Sequence, residues 1–198
     1  NKIGINYSDT FALADGVTQT EYDLFIRSLK EKYKNKVVSA ENLAVGWLET
    51  RSETEIMIYQ QICRIAHEIL ASGLTDKVIQ PGITTTNDVA WWYRDRIREL
   101  KLTAWFHPSV SLQRASSPNM DAKASILARH DDNVIIPGDL LHVDFGITYL
   151  RLNTDTQQHA YVLKTGEDNI PEDLRIAMNN GNRLQDILTD EISVGRTG

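Results

Sequence analysis

Gly138-Asp139-Leu140-Leu141-His142-Val143-Asp144-Phe145-Gly146, followed by Ile147-Thr148-Tyr149 and then Asn153-Thr154-Asp155-Thr156, is the stretch whose reading decides the fold. It sets carboxylates inside apolar, strand-like sequence. An ionised aspartate among Leu, Val and Phe carries a desolvation cost of several kcal/mol unless a cation or dense hydrogen bonding offsets it. Pro137-Gly138-Asp139 is a turn signal, 140–146 reads as a central strand, Gly146 permits a bend, and Asp155 opens a returning strand over 155–163. Neighbouring strands lie about 4.8 Å apart, so carboxylates with the same facing on paired strands reach one ion or bridge two. Hard oxygen donors of this kind suit Mn, Co, Mg or Zn rather than copper or an iron–sulfur cluster. Aspartates satisfied by backbone amides and turn hydroxyls are the alternative, and a spacing of eleven residues leaves both open.

The remainder of the chain narrows the class. Its 198 residues, 41% of them hydrophobic, are enough to bury a proper core in one domain or two. A formal charge of −6 argues against a nucleic-acid partner or an anionic membrane surface. No apolar run approaches the roughly 20 residues of a membrane span, and nothing at Asn1 resembles a signal peptide, although the chain starts without Met; localisation stays open. Cys63 is the only cysteine and reads as a small hydrophobe on a helix.

Periodicity and caps give the elements. Ile3–Tyr7 and Phe11–Ala14 read as short strands, and Thr18-x-x-Glu21 is a capping box opening a helix to about Tyr33. Ser39 caps a short helix through Leu43 and Trp47. Ser52-x-x-Glu55 is a second capping box, followed by Ile56, Tyr59, Ile62, Ala66, Ile69 and Leu70 at helical spacing, which predicts a helix over 53–71. Thr85-x-x-Asp88 starts another, with Val89, Trp92 and Ile97 on one face and Trp91 and Trp92 as core anchors. Val110–Gln113 reads as a strand, 115–133 as a loop or excursion, and 171–191 as an amphipathic helix.

Gly138-Asp139, Asp144-Phe145-Gly146, Tyr149 and Thr154-Asp155-Thr156 resemble the first metal-ligand segment of the pita-bread metallopeptidases, the group of Xaa-Pro aminopeptidases, prolidases, methionine aminopeptidases and creatinases. Arg51-Ser52-Glu53-Thr54-Glu55-Ile56 resembles the start of that family's first catalytic-domain helix, and Gln80-Pro81-Gly82-Ile83-Thr84 its Pro-Gly-x-Thr turn. Asn1-Lys2-Ile3-Gly4-Ile5 is similar to the end of the amino-terminal domain in the Xaa-Pro branch. The resemblance implies an α/β (α+β) pita-bread fold, with 1–48 as the end of an amino-terminal domain plus linker helix and 49–198 as part of the catalytic domain. Ser193-Val194-Gly195-Arg196-Thr197-Gly198 after helix 171–191 repeats the grammar of Gln80–Thr84 after helix 53–71, so the second α/β half is read as having barely begun and the chain as truncated.

By that resemblance the protein is a metal-dependent exopeptidase, an Xaa-Pro aminopeptidase or dipeptidase using two divalent ions (Mn, Co or Zn). Asp144 and Asp155 match the family's two aspartate ligands; a histidine and two glutamates of the second half complete the set, so this chain alone is expected to be inactive and to hold no complete dinuclear centre. His130 is the candidate for the family's substrate-contacting histidine, a few residues closer to Asp144 than the usual pattern, with a plain surface histidine as the alternative. His142 shares the strand face of Asp144 and is a candidate supporting residue behind the ligands, or simply an imidazole bonded to a neighbour. Thr156-Gln157-Gln158 departs from the arginine many relatives carry after the second aspartate. A peptide is the implied partner; relatives are often homodimers, and no residue here bears on that. Two other functions stay open: a pita-bread module that binds peptide or protein without catalysis, and a creatinase-like amidinohydrolase. Retention of both aspartates argues against each.

Overall fold

The computed structural model describes residues 1–114 and 133–196; His130 lies outside them. The chain divides into two compact units, Asn1–Met57 and Ile58–Gly198.

In the first unit β1 (Ile3–Ile5) pairs in parallel with β2 (Val37–Ser39). Thr18 opens α1 (Gln19–Ser28) with the expected capping box, its hydroxyl accepting the Glu21 N–H while the Glu21 carboxylate accepts the N–H of Thr18. The single helix expected to reach Tyr33 is instead broken. Leu29 and Lys30 are extended before α2 (Glu31–Lys34), and the Ser28 hydroxyl donates to the Phe25 carbonyl, competing with the ladder at the last turn. Phe11–Ala14 is not a strand: Ser8 Oγ accepts the N–H groups of Thr10 and Phe11 and curls the chain into a 3-10 turn over Ala12–Ala14. α3 (Glu41–Glu49) begins one residue later than expected, after Ala40, because Ser39 ends β2; its hydroxyl still accepts the Glu41 N–H at the start of the helix while donating to the Tyr7 carbonyl. The Ser52–Glu55 capping box starts α4 (Glu53–Gly73), which runs on into the second unit.

The second unit is built on the apolar stripe of α4. Ile62, Ala66, Ile69 and Leu70 meet Val89, Tyr93 and Ile97 of α5 (Thr86–Glu99) and Leu141, Val143 and Phe145 of the strand Leu140–Phe145 in one core. Trp91 and Trp92 are not its anchors. The inward stripe of α5 is Val89, Ala90, Tyr93 and Ile97; Trp91 falls off it and is exposed, and Trp92 packs at the margin. Tyr93 is the anchor, fully buried, its hydroxyl donating to the Leu70 carbonyl at 3.0 Å and its ring centred 5.3 Å from that of Phe145.

Among the described residues the strands of this unit form two sheets. β4 (Ser109–Gln113), β5 (Leu140–Phe145) and β8 (Thr156–Tyr161) lie antiparallel in the order β4-β5-β8, and β3 (Thr103–Ala104), β6 (Ile147–Tyr149) and β7 (Leu152–Asn153) form the second. The β6–β7 hairpin carries no sequence signal. Its two-residue turn places Leu150 and Arg151 at positive φ, a conformation normally marked by Asn or Gly. Both Pro-Gly pairs form the expected turns. Ile83 N–H reaches the Gln80 carbonyl and Asp139 N–H reaches that of Ile136, with Gly82 and Gly138 at φ of +86° and +96° where a side chain is disfavoured. α6 (Glu172–Glu191) has no buried residue. Among the described residues no helix is long and apolar enough to cross a membrane.

Candidate functional site

Strand alternation gives the sheet β4-β5-β8 two unlike faces. Leu141, Val143 and Phe145 point into the core, so Leu140, His142 and Asp144 take the other side. The register then sets Asp144 between Ser109 and Gln157, and His142 between Ser111 and His159. A row of polar side chains thus crosses all three strands on the face away from the helices.

Asp144 is the strained member of this face. Its Oδ1 is out of contact with water and has no hydrogen-bond partner among the described residues. Burial, and after it the negative charge of Asp155, push its carboxyl above the ordinary carboxylate range, partly offset by His142 and the Phe145 backbone N–H. Asp155, expected to open the returning strand from within apolar sequence, instead precedes β8 and is exposed, because the buried residue at that point is Thr154. Thr154 Oγ1 accepts the N–H of Ile147 at 3.0 Å, and Thr154 N–H donates to the Ile147 carbonyl at 2.9 Å, which fixes the chain just before Asp155. Gly146 makes this crossing possible. A Cβ there would stand 2.4 Å from the Thr154 carbonyl oxygen and 2.7 Å from Phe106 Cε1. The close approach is what brings the Asp155 segment to the end of β5.

His142 Nε2 lies 3.0 Å from Gln157 Oε1, and its ring is centred 4.9 Å from that of His159. Burial and the neighbouring His142 hold the His159 imidazole below its usual pKa. His67 and His107 are exposed and elsewhere, on α4 and against Trp91.

Asp139, five residues before Asp144, lives in the opposite environment. It is 0% exposed, and its two oxygens accept Arg114 Nε at 2.7 Å, Arg114 Nη2 at 2.8 Å and the Ile136 N–H at 2.8 Å. Burial would raise its pKa, but the Arg114 hydrogen bonds, the Ile136 N–H and the Arg114 charge together outweigh it and hold the carboxyl below the ordinary range. Arg114 Nη2 also donates to the Val134 carbonyl, so one guanidinium ties the end of β4 to the approach to β5. Sequence reasoning missed Arg114, Thr154, Gln157 and His159. Alternation from Asp155 carried the signal for Gln157 and His159; the Arg114–Asp139 pair, separated by 25 residues, had none.

Among the described residues no three His, Cys, Asp or Glu side chains come together as a group able to hold a metal ion. What the site offers a cation is a half-buried carboxylate with an unpartnered oxygen and a second carboxylate close enough to raise its pKa, and this fits a divalent ion bound through oxygen.

No family model matches the sequence, and no curated protein matches it. Solved structures do match the fold. The X-Pro aminopeptidase from Thermotoga maritima MSB8 aligns with a TM-score of 0.55 at 16% identity, over 80% of this chain and 40% of that one. The Xaa-Pro dipeptidase from Bacillus anthracis gives 0.54 at 19% identity, over 90% and 43%. For the prolidase from Pyrococcus furiosus the values are 0.53 and 19%, over 78% and 41%. Likeness at these identities establishes the mixed α/β pita-bread fold, and this chain spans about two fifths of the length of those structures.

Proposed function

We propose that this chain carries the aspartate side of the metal centre of a metal-dependent exopeptidase that hydrolyses the peptide bond before proline, as an Xaa-Pro aminopeptidase or dipeptidase. The observation that carries the reading is the unpartnered Oδ1 of Asp144 beside Asp155: a carboxylate oxygen kept out of water without a hydrogen bond is costly, and a cation removes the cost. The fold neighbours, which bear aminopeptidase, dipeptidase and prolidase names, agree with it.

Asp144 and Asp155 would hold the ion or ions, with a histidine and two glutamates needed besides them for the dinuclear set the resemblance implies. When bound, the divalent ions supply Lewis-acid chemistry, polarising a peptide carbonyl and lowering the pKa of water. The chain's own residues do the positioning. Val143 and Phe145, locked in the core, aim Asp144 at the polar face, while Gly146 and Thr154 fix where Asp155 leaves the second sheet. The negative charge of the two carboxylates favours a cation over an anion at this point.

Manganese titration of the metal-free chain, and Xaa-Pro peptide hydrolysis by the protein that carries it, test the reading. Asp144→Asn should weaken manganese binding and lower hydrolysis about a hundredfold or more, since even residues behind the ligands cost 10–100-fold. Unchanged turnover in that variant, or full activity in the presence of a chelator, refutes it.

A further inference from the structure

One pair of side chains on the polar face is left over by the aspartate centre. His142 of β5 and His159 of β8 are direct Cα partners in the antiparallel register and therefore stand on the same side of the sheet. Their ring centroids are 4.9 Å apart, with planes inclined at 47°. An ion about 2.0–2.1 Å from a nitrogen of each ring lies about 3.2 Å from each ring centre, which puts the centres about 4.5 Å apart for a right-angled pair of bonds and about 5.2 Å apart for a tetrahedral pair. The observed separation falls between the two. His142 is half-buried and already oriented by Gln157, His159 is exposed, and no hydrogen bond among the described residues occupies the nitrogens of His159.

We propose that His142 and His159 form a cross-strand binding site for a borderline divalent ion, zinc, nickel or copper, distinct from the oxygen site at Asp144 and Asp155. Ligand chemistry separates the two. Imidazole nitrogen selects Zn, Ni and Cu, whereas carboxylate and water suit Mn and Mg. No third His, Cys, Asp or Glu among the described residues completes a protein cage, so water fills the remaining positions, reached from the exposed side of His159. Binding exchanges the contact between His142 and Gln157 for the ion and leaves the core face of β5 and β8 untouched.

The test uses the metal-free chain and zinc as the probe, read by isothermal titration and by the imidazole resonances of the histidines. Zinc should bind by calorimetry with saturating manganese present, shift the resonances of His142 and His159 together in manganese-free samples, and keep its affinity in Asp144→Asn. In His159→Gln, an exposed position whose replacement should leave the circular dichroism spectrum unchanged, affinity should fall about tenfold or more. Zinc binding that is unchanged in His159→Gln, that disappears in Asp144→Asn or under manganese, or that shifts only His67, His107 or His130 overturns the proposal. His159→Gln reports on the imidazole pair and Asp144→Asn on the carboxylates, so the loss of one site is distinguishable from the loss of the other.

Discussion

Asp139 and Asp144 sit five residues apart on one strand approach, yet replacing each by Asn should change stability in opposite directions. Asp139 accepts three hydrogen bonds, two of them from the guanidinium of Arg114, and is 0% exposed. Removing one partner of a buried pair costs about 3–5 kcal/mol. The Arg114 side chain is 33% exposed and keeps some water, which places Asp139→Asn at the lower end, about 3 kcal/mol less stable. Asp144 carries a charge that burial and the neighbouring Asp155 disfavour, so Asp144→Asn removes that charge while keeping a polar group of the same shape. The metal-free variant should therefore be no less stable than the parent at neutral pH, and more stable to the extent that the charge was disfavoured.

The pH dependence separates the two effects further. Asp139 has a depressed folded pKa, so its stabilisation is full above the unfolded value of about 3.9 and is lost as pH falls through the folded value. Asp144 has a raised folded pKa. Its penalty is full above that value and vanishes as pH falls below about 3.9, where both states are protonated. The two variants should therefore diverge most from each other near neutrality and converge in acid. Urea unfolding of the metal-free protein, followed by near-ultraviolet circular dichroism at neutral and acid pH, reads both. A neutral Asp139→Asn, or an Asp144→Asn destabilised at neutral pH without metal, refutes the reasoning.

Two glycines give further tests. Gly73→Ala would place a Cβ 2.4 Å from Tyr93 Cζ, against a ring with nowhere to go; overpacking should outweigh the better helix propensity of Ala and leave a net loss of about 2 kcal/mol in urea titration. Gly146→Ala meets backbone at the Thr154 carbonyl, so it should cost about 3 kcal/mol and also weaken manganese binding by displacing Asp155 from Asp144, both absent if the crossing is slack.

Much of the fold was legible because its signals are local. The Ser52 and Thr85 capping boxes, the stripe of α4, both Pro-Gly turns and the alternation of β5 each depend on residues within a few positions of one another. Where tertiary packing decides, local pattern misleads. Three aromatic residues follow one another on α5, and only the fit of Tyr93 over Gly73 and beside Phe145 determines which turns inward. Leu150 and Arg151 adopt a turn their side chains disfavour, because the hydrogen bonds of Thr154 to Ile147 and the pairing of β6 with β7 hold it. At the candidate site, the facing of Asp144 away from the core was legible from strand alternation; the exposure of Asp155 was not, since it depends on Thr154 taking the buried place.

Alternation on β5 has a consequence for how such a sequence can drift. Side chains repeat with a period of two, so a slip of one position would turn Leu141 and Val143 toward solvent and bury His142 and Asp144. Selection that merely keeps Leu141, Val143 and Phe145 greasy, with no regard for chemistry, thereby holds the aim of Asp144 and the opposition of His142 to His159. The polar face inherits its geometry from its neighbours' oiliness. New polar residues can then appear at 157 and 159 while the direction in which each one points is kept.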